Sequence, residues 1–281
     1  MARRPLSPEK AFPVTAGAPH LRGFWTLDRI SAAVIIALIP PLAVAMAGRG
    51  LAFLALTGVA LAAAIGWQAV FAASRRRRLT PSGVATALIV ALFLPADAPL
   101  WQVGLAVSFG VVIGEHIFGG YGRNFVNPAA LTLAFLMFSF PGGGFDKAMV
   151  EGWAAPLAGG VFLVAVGIVS WRVLIGGILG AIGAAVASGG GAPVGLILAG
   201  NFLFGLIFLA GDPVAAPSTN GGRWLYGIII GALAIIGAAD GAVSARAIVF
   251  ACLVGSIFAP LIDQGAIWIH VKMREMRNGA A

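Results

Sequence analysis

The stretch FGGYGRNFVNPAALTLAFLMFSFP, residues 118–141, decides how the chain is read. Gly119 and Gly120 close one apolar run. A short polar turn carrying Arg123, Asn124 and Asn127 then leads through Pro128 into another. Lipid offers no partner to free backbone N–H and C=O groups, so a polar, Gly/Pro-bearing break at membrane depth is buried in protein or lines a cavity.

The composition supplies the membrane. Of 281 residues 60% are hydrophobic and only 10% charged, against about 25% charged in an average soluble domain. The 40 glycines suit close helix packing in lipid, where small side chains let backbones approach. A formal charge of +8 could suggest a nucleic-acid binder, but such proteins gather basic residues on one solvent-exposed face. Here they sit in short segments between apolar runs and read as topology signals. The single cysteine, Cys252, lies inside an apolar run and reads as a small buried hydrophobe. One cysteine excludes a disulfide framework or a cysteine-ligated iron–sulfur cluster within this chain. Residues 1–29 are polar and proline-containing, without the apolar core of a cleavable signal.

Outward from the central stretch, apolar runs at 31–47, 51–73, 82–96, 102–118, 128–141, 156–170, 173–188, 193–211, 224–239 and 246–262 predict ten helices. Arg75, Arg76, Arg77 and Arg78 abut the second run and read as a cytoplasmic anchor, with anionic-lipid contact as the functional version. Threading ten spans from a cytoplasmic N-terminus puts fifteen of the 18 Lys and Arg inside, leaving Arg49, Lys147 and Arg246 outside. This asymmetry supports a multi-pass protein of a bacterial-type inner membrane with both termini cytoplasmic. The expected organisation is an arm at 1–29, a first membrane repeat at 30–141, a short periplasmic loop at 142–155, a second repeat at 156–262 and a tail at 263–281. Two homologous sets of five helices must face opposite ways, and the run ending Leu92–Asp97 is echoed by Phe208–Asp212. Inverted repeats with paired Gly/Pro interruptions build transport sites near the bilayer midplane.

The second informative stretch is GDPVAAPSTNGGRW, residues 211–224. Asp212 precedes a proline at a helix end, and reads either as a cap on local N–H groups or as part of an oxygen-rich cation lining. Hard cations take carboxylate, amide and carbonyl oxygens, which Asn124, Asn127 and Asp212 can supply. Glu115 and His116, just before the glycine pair, are functional candidates as ionisable groups within a span, with snorkelling to the interface as the alternative. His20 and His270 lie in the arm and near the tail, which makes a haem pair with His116 improbable. No catalytic constellation emerges: no Ser/His/Asp set, no metal-ligand spacing and no phosphate loop.

GGYGRNFVNPAALTLAFLMFSFP, the preceding LWQVGLAVSFGVVIGEHIFGG and the later GDPVAAPSTNGGRWLYGIIIGALAII resemble the family of the B subunit of the sodium-translocating NADH:quinone reductase (Nqr) and the D subunit of the Rnf electron-transport complex. The resemblance runs from about Arg29 to Asp263. It implies an all-α integral membrane protein of about ten transmembrane helices in two inverted five-helix repeats with broken helices, an architecture similar to the urea transporter. It implies membership of a complex whose other subunits carry flavin and iron–sulfur centres, and quinone or flavin contact at Gly119 and Gly120. Family members carry a covalent FMN on the threonine of a Ser-Gly-Ala-Thr motif after the fifth helix. Here that segment, residues 141–155, contains no serine or threonine, so no phosphoester acceptor exists there. A noncovalent flavin, riboflavin or FMN, or a quinone stays open. Two functions remain: a non-autonomous membrane subunit of an Nqr/Rnf-like ion-translocating oxidoreductase, and a stand-alone channel or carrier for a small solute.

Overall fold

A computed structural model describes residues 25–76, 79–141, 145, 150, 152–188, 199–238 and 243–279. Much of the N-terminal arm, Arg77 and Arg78, most of the 142–155 loop, and the first part of the run predicted at 193–211 lie outside the described residues.

Ten helices are described. Helix α1, Leu27–Ala37, starts at Thr26, whose side chain accepts the Arg29 N–H, and Asp28 sits in its first turn, where a negative charge offsets the helix dipole. One residue later α2, Ile39–Arg75, begins, with a non-helical break at Gly50 (φ 59°, ψ −140°), a conformation open to glycine. The predicted boundary between the first two spans therefore falls on a residue built for it. Helix α3 is Ser82–Phe93, and α4 is Leu100–Val111, continued by a π-helical turn over Val112–His116. Helix α5 is Pro128–Ser139, α6 Ala154–Ala165 and α7 Trp171–Ala187. Helix α8, Gly200–Phe204, continues as a π-helical turn over Gly205–Ala210. Helix α9 is Asn220–Ile236 and α10 is Ala245–Gly279.

The packing has a recognisable plan. Arg49 at the start of the second span reaches Leu94 at the end of α3, while Gln68 further along meets Thr80 and Ser82 at its start, so α2 and α3 are antiparallel. Gly104 lies against Val59 and the His116 carbonyl against Arg75, so α4 runs parallel to α2. In the second half α7 and α9 are also parallel: Gly176 abuts Trp224, and Gly180 abuts Ile228 four residues on. Glycines at 176, 180, 227 and 231 leave the two backbones in contact, with no room for a Cβ at any of them, while Gly177 also makes room for the Leu206 side chain. Helices α4 and α5 are antiparallel, as are α9 and α10.

Two short apolar helices form the centre. Every residue of α3 except Val84 is buried, and so is every residue of α8 and its π turn except Gly200. Phe93 at the end of α3 stacks edge-on against Phe204 in α8, while Ser82 and Thr86 share a cavity with Phe208 and Asp212, so the pair is antiparallel. At 12 residues α3 is about 18 Å long, too short to cross about 30 Å of hydrocarbon. It is a half-helix inside protein. The periphery is the reverse: Leu51 and Phe138 are each 80% exposed, and Ile236 73%. An apolar outer surface of this kind needs lipid against it. Two helices, Ile39–Arg75 and Ala245–Met276, are also long and apolar enough to cross by length and composition.

The last helix departs from the expectation. The predicted span ends at 262 with a tail beyond it, but α10 runs on to Gly279. Hydropathy falls after Asp263 while helix propensity does not: IWIHVKMREM contains neither Gly nor Pro, so the helix outlasts its apolar part.

Candidate functional site

Asn127 and Asp212, from stretches 85 positions apart, meet at the centre. Asn127 is the N-cap of α5: its Oδ1 accepts the N–H groups of Ala129 (2.9 Å) and Ala130 (3.1 Å), two of the four donors a helix start leaves unpaired. Pro128 follows at the first helical position, where its missing N–H costs nothing. The Asn127 amide then has Nδ2 free to point outward, and it donates to the Leu209 carbonyl (3.3 Å) and to Asp212 Oδ2 (3.2 Å). Asp212 Oδ1 accepts the Val214 N–H at 3.1 Å. Asp212 thus caps its own turn, which is one of its sequence readings, and also meets Asn127 from the other half.

Around this pair lies a cavity of about 40 Å³, lined by Ser31, Ser82, Thr86, Tyr121, Asn127 and Asp212 among apolar neighbours. A buried water needs about 10–15 Å³ and two to four polar partners, so the space has room for about three waters. Ser31 Oγ is buried there without a hydrogen-bond partner among the described residues. Asn124 is buried too, but elsewhere. Its Oδ1 accepts Gly122 N–H and its Nδ2 donates to the Val126 carbonyl, which staples the turn and does not line this cavity.

The glycine pair forms the second centre. Helix α4 widens into its π turn with Ile117 N–H donating to Val112 and Gly120 N–H to Glu115, both five residues back. Gly119 (φ 107°) and Gly120 (φ 99°) then take backbone conformations that side-chain-bearing residues rarely adopt. A cavity of about 180 Å³ opens beside them, lined by Leu27, Gln68, Phe71, Ala72, Arg75, Thr80, Glu115, His116 and Tyr121. Glu115 is 1% exposed and His116 6%, so neither snorkels. The His116 ring stacks on Phe71 at 4.7 Å, its backbone carbonyl accepts Arg75 Nη1 at 2.7 Å, and its Nε2 is buried without a hydrogen-bond partner among the described residues. Arg75, the first of the arginine run, is therefore part of the cavity wall and caps the end of α4.

Sequence reasoning missed the groups that tie these centres together. Gln68 donates to Thr80 Oγ1 (2.7 Å) and Ser82 Oγ (3.2 Å), and Ser82 donates to Glu115 Oε1 (2.8 Å). The available signal was a lone amide, Gln68, inside an otherwise apolar run. Tyr121 lines both cavities. Asp263, read only as the edge of the family resemblance, accepts Ser218 N–H and Oγ at 2.7 and 2.9 Å, and Thr219 N–H and Oγ1 at 3.0 and 2.5 Å. It fastens the second break loop to α10. Cys252 is buried, its thiol near the Gly205 carbonyl. Among the described residues no group of three His, Cys, Asp or Glu side chains could hold a metal ion.

Helices that break at the core, with polar side chains gathered at each break and an apolar exterior, define an all-α membrane protein with discontinuous helices at its centre. The chain belongs to the NQR2, RnfD, RnfE family, whose profile matches residues 14–157 and 148–268. It is similar to the B subunit of the Na(+)-translocating NADH-quinone reductase of Pseudomonas aeruginosa, 32% identical over 267 aligned positions covering 76% of this chain and 66% of that protein. The protein of the same name from Azotobacter vinelandii is 34% identical, with 75% and 66% covered. That from Pseudoalteromonas atlantica is 31% identical, with 76% and 66% covered. The chain thus spans just under two thirds of the length of the curated relatives it matches.

Proposed function

We propose that this chain is the membrane subunit of an ion-translocating, quinone-linked redox complex of the inner membrane. The carrying observation is that both stretches read as family motifs end at polar cavities in the protein interior, one beside Gly119 and Gly120, the other around Asn127 and Asp212. The relatives' names supply the chemistry, sodium translocation and quinone reduction by NADH. In this reading Asp212, Asn127 and the Ser31, Ser82 and Thr86 hydroxyls pass a hard cation, while Asn124 holds the turn between the two centres. The larger cavity takes a quinone ring or a noncovalent flavin: a cavity of about 150 Å³ is enough for benzene. The partners are other subunits, which bear flavin and iron–sulfur groups: this chain has one cysteine, and its 141–155 segment holds no serine or threonine.

The two halves, α1–α5 and α6–α10, form an inverted repeat in this reading, as in the urea transporter. Its support is the shared plan of parallel α2/α4 and α7/α9, and the antiparallel pairing of equivalent helices across the halves. Besides α3 with α8, Gly159 of α6 abuts Ala37 of α1 while Leu163 shares a cavity with Ser31. Both termini are cytoplasmic by the distribution of basic residues.

The test is to purify a tagged copy from its own membranes in mild detergent, identify the accompanying chains and record a visible spectrum. Partner chains with flavin or iron–sulfur absorbance are expected, along with loss of ion uptake into proteoliposomes in Asp212→Ala. A colourless, solitary chain that conducts a small solute would overturn the redox reading in favour of a channel or carrier.

A further inference from the structure

The buried polar chain behind the glycine cavity has a direction. Gln68 donates one amide N–H to Thr80 Oγ1 and one to Ser82 Oγ. Both hydroxyl oxygens are thereby acceptors from the amide, which leaves their hydrogens to point onward: Thr80 O–H to Ser82 Oγ at 2.9 Å, and Ser82 O–H to Glu115 Oε1 at 2.8 Å. Thr80 is half-buried next to exposed Leu79, whereas Ser82 and Glu115 are 2% and 1% exposed. A line of hydroxyls therefore leads from the protein's edge to a buried carboxyl group.

That carboxyl group has one oxygen to spare. Glu115 lines the larger cavity, and its Oε2 is buried with no hydrogen-bond partner among the described residues. The Tyr121 backbone amide bears on the carboxylate without closing a hydrogen bond to that oxygen. A buried polar group left unpaired costs about 1–3 kcal/mol, and with its proton on Oε2 Glu115 is a donor that a ring carbonyl oxygen would satisfy. Ser82 is not part of the cavity's lining. Thr80 stands in the cavity wall and Ser82 behind it, so a ring filling the cavity leaves the Ser82–Glu115 hydrogen bond out of its way while Thr80 stays at the rim.

We propose that Thr80, Ser82 and Glu115 form a proton relay that delivers protons to one ring oxygen of a quinone bound beside Gly119 and Gly120. The inference rests on the quinone reading above. The quinone takes two electrons from a reduced flavin elsewhere in the complex and two protons. At the inner oxygen the Glu115 O–H bond breaks as the quinol O–H bond forms. The carboxylate is reprotonated at Oε1 by Ser82, which is refilled from Thr80 and, at the edge, from water, and rotation of the carboxyl group about its Cγ–Cδ bond brings the new O–H to the cavity side. The outer oxygen takes its proton from solvent. Arg75, His116 and Tyr121 share the cavity with Glu115, and Asp212 bears on it from beyond.

The experiment uses the intact complex in native membranes, with NADH and ubiquinone-1. Thr80→Val and Ser82→Ala, each breaking the hydroxyl line, are expected to lower kcat about tenfold or more, and for Ser82→Ala, which lies outside the cavity wall, KM for ubiquinone-1 should change less than about twofold. Glu115→Gln is expected to lower kcat by about a hundredfold, the lower range for loss of a general acid. A second readout is the reduction-induced infrared difference spectrum. Wild type should show a carboxyl C=O band that Glu115→Gln abolishes and Ser82→Ala shifts. Gly120→Leu separates the two levels of the argument. If it leaves ubiquinone-1 turnover untouched, the quinone reading itself is wrong and the relay falls with it. If Gly120→Leu blocks turnover while Thr80→Val and Ser82→Ala match wild type in kcat and infrared signature, the quinone site stands and the relay is refuted. Thr80→Val sits at the half-buried rim and keeps the side-chain shape, so its result does not hinge on refolding of the core.

Discussion

Replacing Asn127 tests whether one side chain fastens the two halves together. Asn127→Ala removes the Oδ1 acceptor of two α5 N–H groups and the Nδ2 donor to Leu209 and Asp212. Loss of an N-cap costs about 0.5–2 kcal/mol. Leaving Asp212 Oδ2 buried without its donor adds about 1–3 kcal/mol. For a protein of this size each kcal/mol corresponds to about 2–4 °C in Tm, so the purified variant should unfold roughly 3–20 °C below wild type. Asn127→Ser divides the effect: serine can still cap α5 but is too short to reach Asp212, so it should lose only the second part. Asn124→Ala is the comparison, because its bonds stay within two residues, and it should cost about 1 kcal/mol. The assay is thermal unfolding in detergent, with a double-mutant cycle between Asn127→Ser and Asp212→Ala. An Asn127→Ala protein no less stable than Asn124→Ala, or a cycle with additive effects, would refute the bridging role.

Other consequences follow from the packing. Gly180→Leu and Gly231→Leu drive a side chain into the facing backbone of α9 or α7 and should abolish stable membrane expression, whereas Gly183→Leu, whose added Cβ would meet nothing within 4 Å, should express as wild type by detergent size-exclusion. Arg49→Ala uncovers the Leu92 and Leu94 carbonyls at the end of α3 and should cost about 1.5–3 kcal/mol, the usual range for a hydrogen bond to a charged group, with Arg49→Lys recovering part of it in the same melt. Asp263→Ala releases Ser218 and Thr219, so amide exchange across 213–219 should quicken while α3 stays protected.

The fold was legible because its strongest signals are local. With the Gly50 break taken as the start of the second span, apolar runs, the arginine cluster and the glycine and proline breaks place nine of the ten span starts within a few residues of their predicted positions; at the eighth, predicted at 193, residues before 199 are not described. Gly50 could be read as a boundary from composition alone. The candidate site was half legible. Asn127 and Asp212 announce themselves as polar groups beside prolines, yet nothing in either stretch says they touch, since the contact depends on how α5 and α8 meet. Asn124 looks equivalent to Asn127 in the sequence, but only Asn127 immediately precedes Pro128, where an N-cap turns its amide outward. The Leu92–Asp97 echo of Phe208–Asp212 also divides on environment: Asp97 is exposed and Asp212 buried. Ser82 and Gln68 were invisible as partners because they are common residues 14 positions apart, joined only by the antiparallel packing of α2 and α3.

The Asn127 bridge also constrains how the protein is made. Among the described residues its amide N–H groups find their acceptors at Leu209 and Asp212, 82 and 85 residues downstream. At about 5–20 residues per second, the ribosome needs roughly 4–17 s to supply them. During that interval the nascent first half holds an unpaired amide at its centre, so completion of the first break waits on synthesis of the second.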